Sequence, residues 1–190
     1  MRHELLVDVL AAEPEARGTT VYLVRLTDLR RVQAPLASLD PVPQRLLNRH
    51  KSAEHALLIL QAATKFAEAG YTVDQPPAGQ PIPEGLDPAG TQHFSDLAIS
   101  KDDVTRYVEC ECETHKQAGQ RNERWRRIHA STDGLICVVT PLRTTMDAIN
   151  REITDWAMIG GYRVELWVTN LLDMTPAQPW KVQRTIGRRT

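Results

Sequence analysis

Residues 94–114, FSDLAISKDDVTRYVECECET, decide the fold. Phe94 to Ser100 reads as one β-strand, and Val104 to Thr114 as a second, strictly alternating one. Lys101-Asp102-Asp103 between them fits a hairpin turn. With a period of two, Glu109, Glu111 and Glu113 point to one face, and Val108, Cys110 and Cys112 to the other. Same-face neighbours on a strand lie roughly 7 Å apart, so three carboxylates in a row repel one another. A divalent cation offsets such repulsion, because Mg²⁺ takes carboxylate oxygens. Asp96 adds to the pattern. It precedes Leu97-Ala98-Ile99, an apolar setting where an aspartate is costly unless it is paired or ligates a metal. The hairpin brings Asp96 beside the acidic strand. The competing reading is a solvated sheet face, or an edge strand guarded by charge.

Downstream, residues 116–130 (KQAGQRNERWRRIHA) read as a basic helix, and Gly134 opens LICVVT, a continuous apolar run expected of a buried central strand. A helix from about Thr145 to Ile159 follows, with Met146, Ile149, Ile153, Trp156 and Ala157 on one stripe. Gly160-Gly161 ends it, and Tyr162 to Thr169 reads as the last strand. Upstream, a helix is expected from about Leu47 to Ala69, with Ala56, Leu57, Leu60, Ala63, Thr64 and Ala67 on its stripe, Ile59 and Phe66 widening it, and Gly70 as its cap. Tyr71 to Val73 reads as a short strand, and the Pro- and Gly-rich residues 75–90 as a long loop. The order is helix, three-stranded meander, helix, strand, helix, strand, an α/β core. Before it, Leu5 to Leu10 and Thr20 to Leu26 read as a β-hairpin, with residues 33–46 a Pro-rich connector. The expected organisation is therefore an N-terminal extension over 1–46, a core over 47–172 and a basic tail over 173–190.

Composition narrows the classes. The chain has 190 residues, enough for one domain with a sizeable core. Lys plus Arg is 23 against 24 Asp plus Glu, so any basic surface must be local. No apolar run approaches the ~18 residues of a membrane-spanning helix, and MRHELLVDVL carries acids where a signal peptide is apolar. Three cysteines, two of them spaced C-x-C, build no disulfide framework, and the cytoplasm is the expected compartment.

The combination of an Asp in a short apolar strand, a hairpin and an acid-x-acid pair resembles the restriction-endonuclease-like superfamily, the PD-(D/E)xK phosphodiesterases. The resemblance covers residues 47–170. The Pro-Asp of that superfamily corresponds to Ser95-Asp96 here. Its Glu-x-Lys corresponds to Glu111-Cys112-Glu113, or to Glu109-Cys110-Glu111 one register earlier. Residues 51–73, KSAEHALLILQAATKFAEAGYTV, are similar to the opening helix of archaeal Holliday-junction resolvases and relatives, which present a Glu to the metal site; Glu54 matches it. The resemblance implies a nuclease that hydrolyses phosphodiester bonds in DNA, rather than RNA, with Mg²⁺ or Mn²⁺. Glu54, Asp96 and Glu111 would then ligate the metal, Glu113 would orient the attacking water, and Lys116 would replace the missing lysine. A nuclease fold that has lost its chemistry, serving as a nucleic-acid- or protein-binding module in a larger mobile-element or defence assembly, is the alternative. A homodimer, or a larger nucleoprotein assembly built through residues 1–46, is the associated partner expectation.

Other residues complete the reading. Arg121, Arg124 and Arg127 recur at i, i+3 on the basic helix and are expected to grip phosphates, while Trp125 and Ile128 anchor its opposite side. Gln117 or Gln120 matches a glutamine that the superfamily often carries on this helix. Cys110, Cys112 and His115 are too few and too closely spaced for structural zinc, and the cysteines read as small core residues.

Overall fold

The computed structural model describes residues 7–14, 20–26, 53–74, 94–112 and 118–187. Two compact units divide the chain, Met1–Leu60 and Gln61–Thr190. In the first, strands β1 (Val7–Pro14) and β2 (Thr20–Leu26) pair antiparallel as a two-stranded sheet. This is the hairpin read from the sequence, but β1 runs on through Ala11–Pro14, which the sequence suggested as the separator. The register shifts between Val9 and Ala11, so Leu10 is the extra residue of a β-bulge.

Helix α1 (Ala53–Glu68) starts in the first unit and ends in the second. Its buried positions include Leu58, Ile59, Ala62, Phe66 and Ala69, whereas Thr64 and Ala67 are exposed. Ala56 and Leu57 are buried as expected, as are Ile59 and Phe66, which widen the stripe; Thr64 and Ala67 fall outside it, because the large apolar side chains set which face is covered. Gly70 ends it at φ 81°. The Gly70 N–H donates to the Ala67 carbonyl at 3.0 Å and the Tyr71 N–H to the Phe66 carbonyl at 3.0 Å, a Schellman closure. The Tyr71 ring meets Phe66 edge-on at 5.6 Å, the apolar contact that accompanies such a cap.

The second unit is built on a six-stranded mixed sheet whose spatial order follows the chain: β3 (Thr72–Asp74), β4 (Leu97–Lys101), β5 (Val104–Cys110), β6 (Leu135–Thr140), β7 (Val164–Asn170) and β8 (Val182–Ile186). The β3–β4 and β4–β5 pairs are antiparallel, β5–β6 and β6–β7 parallel, and β7–β8 antiparallel. Helix α2 (Ala118–Ser131) makes the first parallel crossover and α3 (Arg143–Gly160) the second. With α1 this gives a mixed α/β fold of a six-stranded sheet and three helices among the described residues. None of these helices is long and apolar enough to cross a membrane.

The core follows from periodicity. Met146, Ile149, Ile153, Trp156 and Ala157 are all buried on α3, as their spacing requires. They cluster with Trp125 and Ile128 of α2 and with Ile136, Val138, Val164, Leu166 and Val168 of the sheet. On the opposite face Trp180, 2% exposed, packs against Phe66 at 5.1 Å and Trp167 at 5.7 Å. Trp180 and β8 lie in the stretch expected to be a basic tail. Instead, β8 completes the sheet, and Arg184 ties it to α3 by donating to Asn150 at 2.7 Å and Thr154 at 2.5 Å. Its exposed polar residues hid it, since an edge strand buries little.

The hairpin turn expected at Lys101-Asp102-Asp103 is present as a two-residue turn, since Lys101 still pairs with Val104. Asp102 and Asp103 adopt φ 52° and 60°, the left-handed region at both central positions of a type I′ turn. A non-glycine residue pays ~1 kcal/mol for that conformation. Asp103→Gly is therefore expected to raise the melting temperature by about 2–4 °C, the shift that ~1 kcal/mol gives a domain of this size. A thermal melt by circular dichroism checks it; a lower melting temperature would refute the turn assignment.

Candidate functional site

The acidic strand is not a solvated face. Asp96, Glu109 and Glu111 are 4%, 2% and 2% exposed. The register explains how. Leu97 faces Val108 across the antiparallel pair, so Asp96 stands opposite Glu109. Across the parallel pair Glu109 faces Val138, which faces Val168 in turn. Val138 and Val168 belong to the core that α2 and α3 cover, so the carboxylates are directed under those helices. Past the end of β5, the Glu111 N–H still donates to the Val139 carbonyl at 2.9 Å and keeps the alternation in step.

Arg124 of α2 makes this burial tolerable. Its Nη2 donates to Glu109 Oε2 at 2.6 Å, and its Nη1 pairs with Glu111 Oε1. Burial alone would lower the Arg124 pKa, but Glu109 and then Asp96 outweigh it and raise the pKa above its ordinary value. Arg124 is thus a fixed cation. Asp96 also braces the backbone of the neighbouring strand, where its Oδ2 accepts the Cys110 N–H at 2.8 Å. The Cys110 thiol is pushed well up by burial first, then by Asp96 and Glu109, so it stays protonated and is no nucleophile. Cys137 is likewise raised by burial.

Arg121 and Arg127 do not join Arg124. Arg121 is 4% exposed and pairs with Glu152 of α3, whose other oxygen accepts the Trp125 Nε1–H at 2.7 Å. Arg121 lies four residues before Trp125 and so shares its buried face, a spacing that was present in the sequence. Arg127 is outermost and donates to Glu123 at 3.1 Å. Glu123 also takes two hydrogen bonds from Arg126, and these with Arg127 hold its carboxyl down to about 2. The three arginines expected to grip phosphates thus each meet different carboxylates: Glu152, the Glu109 and Glu111 pair, and Glu123.

Glu54 is exposed on the first turn of α1, in the first unit. Glu113, His115, Lys116 and Gln117 lie outside the described residues. Among the described residues no group of three His, Cys, Asp or Glu side chains is disposed to hold a metal ion. Glu109 and Glu111 turn onto the Arg124 guanidinium instead. The donor set itself is of hard carboxylate oxygens, the chemistry that suits Mg²⁺ or Mn²⁺. No family model matches the chain, and no curated protein or solved structure matches it.

Two expectations follow. Arg121→Ala removes one partner of an ion pair at a buried site and should cost about 3 kcal/mol, whereas Arg127→Ala, at an exposed pair, should cost ~0–1 kcal/mol. Urea unfolding of both variants measures the contrast, and equal costs would refute the assignment. Glu123 provides a pH test. Its folded pKa of about 2 lies below the ordinary Glu value, so its pairing adds stability above that value and loses it as pH falls toward 2. The difference in melting temperature between the parent and Glu123→Gln should be present at neutral pH and vanish at the acid end; a pH-independent difference would count against it.

Proposed function

We propose that this chain is a metal-dependent phosphodiesterase of the restriction-endonuclease-like type, acting on DNA in preference to RNA in the cytoplasm. One observation carries the reading: Asp96, Glu109 and Glu111 are all buried at the β4–β5 pair, with Arg124 paired to the two glutamates. Carboxylates are rarely buried without a reason that outweighs their desolvation. The succession of helix α1, the antiparallel β3–β4–β5 meander, helix α2 and the parallel strand β6 supports it further. The register favoured is Asp96 with Glu109-Cys110-Glu111.

In this reading Asp96, Glu109 and Glu111 hold Mg²⁺ or Mn²⁺. A metal so held lowers the pKa of its bound water and neutralises charge at the phosphate. The chain's own residues do the rest. The Cys110 N–H fixes Asp96 in place. Burial of both glutamates keeps their oxygens from being shared with bulk water. Arg124 supplies a permanent positive charge beside the point where a phosphate oxygen would sit.

The second reading is a retired nuclease fold that binds nucleic acid or protein within a larger assembly through residues 1–46, or as a homodimer. It is favoured by Arg124 itself, a built-in cation where the chemistry would need a mobile one.

Melting in the presence of Mg²⁺ or Mn²⁺ separates the two. A ligand at one hundred times its dissociation constant stabilises the native state by about 2.7 kcal/mol, a rise of about 5–10 °C here. Asp96→Asn should abolish most of that rise, along with cleavage of plasmid and branched DNA. An unchanged melting curve at ~10 mM metal, with no cleavage, would instead support the retired fold.

A further inference from the structure

We propose that Arg124 is a built-in competitor of the divalent cation: metal enters only by displacing the guanidinium from Glu109 and Glu111, and the displaced guanidinium then becomes the phosphate ligand. The inference rests on the metal-dependent reading above. Four observations lead to it. First, the two guanidinium nitrogens already engage one oxygen of each glutamate, the oxygens a cation lodged between them would need. Second, the Arg124 side chain is 24% exposed while the carboxylates it holds are 3% and 2% exposed, so the arginine side chain reaches solvent where the carboxylates do not. Third, α2 is held by contacts that do not involve Arg124, namely Arg121 and Trp125 to Glu152 and the packing of Trp125 and Ile128 in the core. The side chain can therefore swing away while the helix stays. Fourth, Arg124 does not leave by deprotonation, because a guanidinium keeps its charge in proteins. Exchange is cation for cation.

The consequence is coupling. A guanidinium released from two carboxylates has its planar fork of donors available for phosphate, which it matches in two-point geometry. Metal loading should then strengthen DNA binding, and DNA should strengthen metal binding by the same factor.

The test uses the full chain, without DNA, titrated with Mn²⁺ by calorimetry. Arg124→Gln removes the competitor and should bind Mn²⁺ about tenfold or more tightly than the parent. Arg124→Lys is the decisive variant. Its ammonium keeps the charge but cannot span both carboxylates, so it should bind Mn²⁺ with intermediate affinity. If Arg124→Gln does not fold, as judged by its melting curve, Arg124→Lys alone carries the comparison. A second readout is the DNA affinity gained on adding Ca²⁺, which should fall at least severalfold in Arg124→Gln. Parental Mn²⁺ affinity in Arg124→Lys would overturn the competition while leaving the metal reading intact. No Mn²⁺ binding by the parent or either variant would overturn both.

Discussion

Two glutamates sealed under a helix set the terms for the rest of this molecule. Glu109 sits on a central strand and Glu111 just past its end, both at 2% exposure, and Arg124 pairs with both. A buried ion pair contributes little net stability, but breaking one by removing a partner costs ~3–5 kcal/mol. Helix α2 therefore has little freedom to rotate or slide. Its neighbours reinforce the position: Trp125 and Arg121 both end on Glu152 of α3, so one carboxylate links the two crossover helices. The polar contacts and the apolar cluster of Trp125, Ile128, Ile149 and Ile153 fix the same helix rotation.

The sheet has two faces of different character. Under α2 and α3, an apolar core gives way to the acid cluster toward the meander. The other face carries Val108, Cys110, Cys137 and Val139, all buried, with Trp180 closing it near Phe66 and Trp167. Near Trp167 the face opens, and Arg106 lies over the Trp167 ring at 4.4 Å, a cation–π contact. The alternation that directs carboxylates to one face directs Cys110 to the other, where its raised pKa, like that of Cys137, makes it inert packing.

An enzyme that holds metal through carboxylates must keep them charged and close before the metal arrives. A tethered guanidinium meets that need without committing the site to permanent occupancy. The same device in a fold that had lost its chemistry would hold the acids for good. The two cases differ in whether the guanidinium can be exchanged, which depends on the affinity of the competitor and not on the fold.

Much of this architecture is local in origin, and the sequence alone determined it. Strict alternation located β5, although the strand ends at Cys110, short of the expected Thr114; the α3 stripe predicted every one of its buried apolar positions, and Gly70, Gly134 and Gly161 fell where positive φ is required. The meander and the pairing of Asp96 with the acidic strand followed from one hairpin turn. The rest was decided by partners distant in the chain. The burial of Glu109 depends on a helix some fifteen residues further on, and the fate of Arg121 on Glu152, 31 residues away. Strand β8 lacks an apolar signature because it lies at an edge, and only the tertiary fold recruits it to β7. Periodicity reports which face a residue takes within its own element. Whether that face meets water, a core or an opposite charge is settled only when a second element packs on it.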